Sequence, residues 1–123
     1  MITKKPLTEL PSFDVEATGC PSQSAVESYR RDGVVCLRNA FDFYWVKSLR
    51  SAVDIAISDG VRLGSDLVVN VSKPGESGFF FYDMFLWKRY DFFREFAFDS
   101  PAADLARKIM QSNSIIFYYD LIL

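Results

Sequence analysis

Among the residues able to do chemistry, Asp83 has the least ordinary setting: a lone carboxylate inside Phe79-Phe80-Phe81-Tyr82-Asp83-Met84-Phe85-Leu86-Trp87. Rings keep water away from a carboxyl, and desolvation is what prepares such a group for acid–base work. The structural alternative is an aspartate paired with Lys88 or Arg89, and it is preferred because buried charges are seldom left alone. Asp14 with Glu16, or Asp99 with Asp104, could serve as acid–base pairs or hard-cation ligands. No third oxygen ligand sits at a suggestive spacing, so a solvated face or a helix cap accounts better for both. Cys20 and Cys36 are the only cysteines and the chain has no histidine. Zinc needs about four ligands and a reactive thiol needs a basic partner, so both read as idle thiols in a reducing compartment.

Without histidine, Ser-His-Asp and Cys-His machinery are excluded within these residues, and imidazole metal ligands with them. Gly60 with Gly64, or Gly75 with Gly78, lacks the strand and helix that turn glycines into a phosphate loop. The 123 residues therefore hold no complete active site of a common class.

Half of the residues are hydrophobic, including twelve Phe, six Tyr and two Trp, enough for one sizeable core. A formal net charge of -2 gives no basic footprint, which speaks against nucleic acid as a partner. Lys4-Lys5-Pro6 leads into no apolar signal core, and charges interrupt every long apolar run. The expectation is a cytoplasmic protein with neither a membrane nor a specific protein partner.

The elements that must position these groups follow in order. Residues 1–21, with Pro6, Pro11 and Pro21, read as an irregular arm, and 22–123 as the body of one domain. Ser24-Ala25-Val26-Glu27 is a capping-box pattern, predicting a helix to Arg31 or Asp32 closed by Gly33. Val34 to Arg38 should be a short strand. Trp45, Val46, Leu49, Ala52, Val53, Ala56 and Ile57 form the apolar stripe of a helix from Asp42 to Asp59, with Gly60 as its stop. A strand is expected at Leu67 to Val71, a turn at Pro74-Gly75, and extended chain through Phe79 to Trp87. The rings of that run read as core before they read as the wall of an apolar pocket. Asp91 should cap a helix burying Phe92, Phe93 and Phe96, and Ser100-Pro101 should start another burying Ala103, Ala106, Ile109 and Met110. Ser114 to Leu123 is the most strand-like run of all, with Tyr118 and Tyr119 on opposite faces. A strand of that kind needs partners on both sides, so the chain reads as a piece of a longer protein.

Taken together, several of these stretches resemble the N-terminal part of the phytanoyl-CoA dioxygenase family. They are Tyr29-Arg30-Arg31-Asp32-Gly33-Val34-Val35-Cys36-Leu37-Arg38, the helix from Asp42, Asp83-Met84-Phe85-Leu86-Trp87, Asp99-Ser100-Pro101-Ala102-Ala103, and Phe117-Tyr118-Tyr119-Asp120-Leu121. The resemblance implies an α+β fold: N-terminal helices and the first strands of a double-stranded β-helix, or jelly roll, cut short. It also implies a dioxygenase whose Fe(II) is held by His-x-Asp and a distant His, with 2-oxoglutarate chelating the metal and a small organic or acyl substrate. It places all metal ligands beyond position 123, so neither Fe(II) nor 2-oxoglutarate is expected on this chain alone. Tyr119, Leu121 and Leu123 are implied to face the 2-oxoglutarate pocket, with Tyr118, Asp120 and Ile122 on the other side. The reading from another class is a self-contained α+β module that binds an apolar ligand or a protein partner through its aromatic surface.

Overall fold

A computed structural model describes residues 10–63, 68–70, 75 and 80–123. In chain order the elements are β1 (Ser12–Asp14), α1 (Gln23–Asp32), β2 (Cys36–Arg38), α2 (Phe43–Leu63), β3 (Val68–Asn70), β4 (Phe81–Met84), α3 (Asp91–Asp99), α4 (Ala102–Met110) and β5 (Leu121–Ile122), with a 3-10 turn at Leu86–Lys88. The architecture is α+β. Its contacts fall into two compact units, Met1–Asp42 with Pro101–Ile116, and Phe43–Ser100 with Phe117–Leu123. No helix among the described residues is long and apolar enough to cross a membrane.

In the first unit, α1 begins two residues earlier than the capping box predicts. Ser22 is the cap, its Oγ accepting the Ala25 N–H at 3.2 Å. The Glu27 carboxylate, which the box would send back to Ser24, instead accepts from the Gln23 side chain at 3.1 Å. Gly33 ends the helix at φ 73°, donating its N–H to the Tyr29 carbonyl, as a glycine stop should. The proline-rich arm is less irregular than expected: β1 pairs in parallel with β2, Ser12 opposite Cys36 and Asp14 opposite Arg38. Ala25, Val26 and Ile109 form the buried centre, with Phe13, Tyr29, Val35 and Leu37 packed around them.

The buried face of α4 is rotated from its expected position. Leu105 and Ile109 are buried, whereas Ala103 is exposed and Met110 is 54 % exposed. The cluster formed with α1 and β2 selects the Leu105–Ile109 side, which an alanine count alone could not see. Pro101 stands one position earlier than expected, as the cap, its carbonyl accepting the Leu105 N–H at 2.9 Å.

In the second unit, β3, β4 and β5 form an antiparallel sheet in that order, Val68 opposite Asp83 and Asp83 opposite Ile122. Helix α2 runs through Gly60 to Leu63, past the expected stop. Gly60 is buried, and packing holds a helix through a glycine that would end it in solvent. Ala52 and Ala56 let α2 lie close over Leu86 and Phe93, with Leu49, Val53, Tyr90 and Ile122 around them. Burying Leu86 completely is worth about 2 kcal/mol. Of the expected stripe, Val46 is exposed. Tyr90, not Asp91, occupies the cap position of α3; Phe93 is buried and Phe92 and Phe96 are half-buried. Leu67, Val71, Pro74 and Phe79 lie outside the described residues; Gly75 takes the φ of 88° that a tight turn asks of glycine.

The largest departure concerns Ser114 to Leu123. Only Leu121–Ile122 enters a ladder, while Ile116 is 89 % and Tyr118 84 % exposed. The cause lies in β4. Phe85 adopts φ 58° and turns the chain into the 3-10 turn, so the partner strand ends at Met84 and the ladder goes no further back than the bond from the Phe85 N–H to the Asp120 carbonyl. Strand-forming composition does not make a strand without a neighbour.

Candidate functional site

The second unit gathers its polar groups where β4 meets β5. Asp83 is fully buried and pairs with the Arg89 guanidinium, which also donates to the Met84 carbonyl at 3.1 Å. The sequence reading of Asp83 as a partnered structural aspartate therefore holds, with Arg89 as the partner. The turn that carries Arg89 brings it back to β4, and Arg89 also lies over the Tyr90 ring at 5.4 Å.

Asp120 has a role that residue spacing does not reveal. Its backbone carbonyl accepts the Phe85 N–H at 3.1 Å, and its Oδ2 accepts the Trp87 N–H at 2.8 Å. The residue just before β5 thus caps the 3-10 turn. Burial pushes the Asp120 carboxyl above its ordinary range, against the opposing effects of the Trp87 N–H and the Arg89 charge. Asp83 Oδ2, Asp120 Oδ1 and Trp87 Nε1 are buried and have no hydrogen-bond partner among the described residues. Burial likewise raises the Tyr90 hydroxyl, with Asp59, whose carboxylate accepts its hydrogen bond, adding to the shift.

Around this corner the rings form two groups. Trp87 meets Phe98 and Phe117 edge-on at 5.8 and 5.9 Å, while Tyr44, Trp45, Phe92 and Phe96 pack between α2 and α3. Of the aromatic run, Phe81 and Leu86 are core residues, Tyr82, Phe85 and Trp87 are half-buried and Phe80 is exposed.

Tyr119, Leu121 and Leu123 are each exposed, by 42 %, 41 % and 83 %, with the Tyr119 ring 5.9 Å from that of Phe85, while Asp120 and Ile122 turn inward. Tyr118 does not join the inward pair. Its ring meets that of Tyr119 at 5.1 Å, because the alternation of a paired strand starts only where pairing does.

Two of the remaining carboxylates have structural partners. Asp14 accepts from the Asn39 side chain at 2.7 Å. Asp104 binds Arg107 at 2.8 Å and Lys108 at 2.6 Å, and their hydrogen bonds, that of Lys108 foremost, hold its carboxyl below the usual range. Asp99 closes α3, in the other unit from Asp104, and Cys20 and Cys36 are free thiols. Among the described residues no three His, Cys, Asp or Glu side chains are grouped to hold a metal ion. The first unit adds a feature that the sequence reading missed, an apolar groove of about 450 Å³ lined by Tyr29, Val34, Leu37, Leu105, Ala106 and Met110. Its only sequence signal is an apolar excess on α4 beyond what one buried stripe requires.

No family model, curated protein or solved structure matches this chain. Any functional reading therefore stands on its residues and their arrangement.

Proposed function

We propose that this chain is the N-terminal part of a cytoplasmic non-haem Fe(II)/2-oxoglutarate dioxygenase with a jelly-roll core, acting on a small organic or acyl substrate. One observation carries the reading. The resemblance to the phytanoyl-CoA dioxygenase family requires Tyr119, Leu121 and Leu123 on one face and Tyr118, Asp120 and Ile122 on the other; the exposure of side chains 119–123 alternates in that phase, and Tyr118, itself exposed, departs from it. An exposed face holding a tyrosine and two leucines suits the wall of a pocket whose other walls come from further strands.

The residues present do not fit iron: histidine is missing from the sequence and no ligand cluster exists among the described residues. No catalytic step is assigned to them. Their part is to supply the first pocket-lining strand, with the Tyr119 hydroxyl toward the co-substrate and Asp120 holding the strand against the turn.

Two measurements test this. The coding sequence after Leu123 should continue through Lys and Pro-Gly to His-x-Asp within a few dozen codons, and the intact protein should convert 2-oxoglutarate to succinate when given Fe(II) and O2. A continuation without His-x-Asp sinks the reading. In the active protein, Tyr119→Phe should raise the KM for 2-oxoglutarate about three- to tenfold, the worth of one hydrogen bond. An unchanged KM removes the polar role of Tyr119.

The apolar groove of the first unit favours a second reading, an α+β module that binds an apolar ligand. It takes over if the intact protein turns over no 2-oxoglutarate and an apolar fluorophore binds it, with Met110→Lys abolishing that binding.

A further inference from the structure

The outer face of α2 carries a regular pattern of exposed residues. Phe43, Lys47, Ser51, Asp54 and Ser58 recur at spacings of four, four, three and four, the repeat of one helical stripe, and all are exposed. Beside the stripe lies a second row, Tyr44, Ser48 and Ile55, with Ile55 56 % exposed. Between the rows is a depression of about 560 Å³ whose floor is made of small residues, Ser48, Ser51 and Ala52.

We propose that this face of α2 docks on a second copy of itself, antiparallel, about a two-fold axis beside Ser51. Three features of the face are complementary under that operation. An antiparallel two-fold centred on Ser51 sets a residue three or four positions before it against one three or four positions after it in the partner helix, on the same side of the contact. Lys47 then meets Asp54 of the other copy, and Asp54 meets its Lys47, giving two opposite-charge pairs by symmetry. Ile55 meets Ser48, so the large exposed side chain enters the depression floored by small ones. The axis itself passes Ser51, small enough for two helices to approach closely.

The charges are available for this use. Lys47 sits 6.0 Å from the centre of the Phe43 ring, and neither Lys47 nor Asp54 makes an ion pair among the described residues. A parallel pairing would set Lys47 against Lys47 and Asp54 against Asp54, so charge also selects the direction.

The test is sedimentation equilibrium of the intact protein with a charge exchange. The wild type should show a reversible monomer–dimer equilibrium. Lys47→Glu and Asp54→Lys each place two like-charge contacts in the interface and should weaken dimerisation about tenfold. The double variant K47E/D54K restores opposite charges and should return to within a few-fold of wild type. Ile55→Ser should also weaken the dimer, and added salt should weaken the wild type more than it weakens either single charge variant. All three positions are exposed, and restoration in the double variant separates a lost contact from lost folding. A wild type that stays monomeric, single variants that dimerise as well as wild type, or a double variant no better than either single one each overturns the proposal.

Discussion

The unit of Met1–Asp42 with Pro101–Ile116 and the unit of Phe43–Ser100 with Phe117–Leu123 handle charge in opposite ways. The first keeps its ion pairs in water: Asp104 with Arg107 and Lys108 on α4, and Arg31 with Asp32 at the end of α1. Its centre is aliphatic, built on Ala25, Val26 and Ile109. The second buries Asp83 beneath Arg89 and Asp120 beneath the turn, among rings. Exposed pairs add little to stability, whereas a buried charge makes its partner indispensable. Sensitivity to single charge changes should therefore concentrate in the second unit.

The largest test of that contrast is Arg89→Ala. It leaves the Asp83 carboxylate buried and unpaired, and should cost about 3 kcal/mol in urea unfolding followed by tryptophan fluorescence. Arg107→Ala should leave the midpoint where it was. Equal losses would break the comparison.

A smaller effect probes the first unit, whose weak points are backbone and caps. Gly33→Ala should cost about 1 kcal/mol from the left-handed φ alone, because a Cβ there meets nothing within 4 Å. Ser22→Ala should cost about the same and Ser24→Ala nearly nothing, since the cap is Ser22. A larger loss at Ser24 would return the cap to the capping-box position.

The smallest effect gives the contrast a sign with pH. The Asp120 carboxyl is raised by burial, so its contribution is fully present below the unfolded-state pKa and is lost as pH rises through the higher folded value. Asp120→Asn should accordingly be more stable than wild type at pH 7 and gain nothing at pH 3. The Asp104 carboxyl is lowered, so its contribution exists above the unfolded-state pKa and disappears as pH falls through the folded value. Asp104→Asn should lose stability at pH 7 and lose less at pH 3. Thermal unfolding of both variants at the two pH values checks the pair, and shifts of the same sign would remove the distinction.

Local signals are legible where the deciding contact is near in sequence. Gly33 closes α1, the stripe through Ala52 and Ala56 defines α2, and Asp83 takes its charge partner from six residues along. What escapes depends on distant neighbours. Whether Ser114 to Tyr119 can pair is decided at Phe85, whose positive φ no composition announces. The face of α4 is decided by α1 and β2, and β1 by its reach to Cys36. Of the candidate site, residue types give the Asp83 pair. The cap made by Asp120 is invisible in the sequence because it joins Trp87 to a residue 33 positions away.

The pairing of β1 with β2 has a consequence for the order of synthesis. Ser12 meets Cys36 across a single short helix, so this closure is available as soon as Arg38 has left the ribosome. Asp83 must wait for Ile122, and Trp87 for Asp120, near the end of the 123 residues. During translation the rings of α2, α3 and β4 are therefore made well before the strand that caps them. Over that interval the apolar surface that β5 later covers stays open, and slowing translation through codons 100–123 should lengthen it.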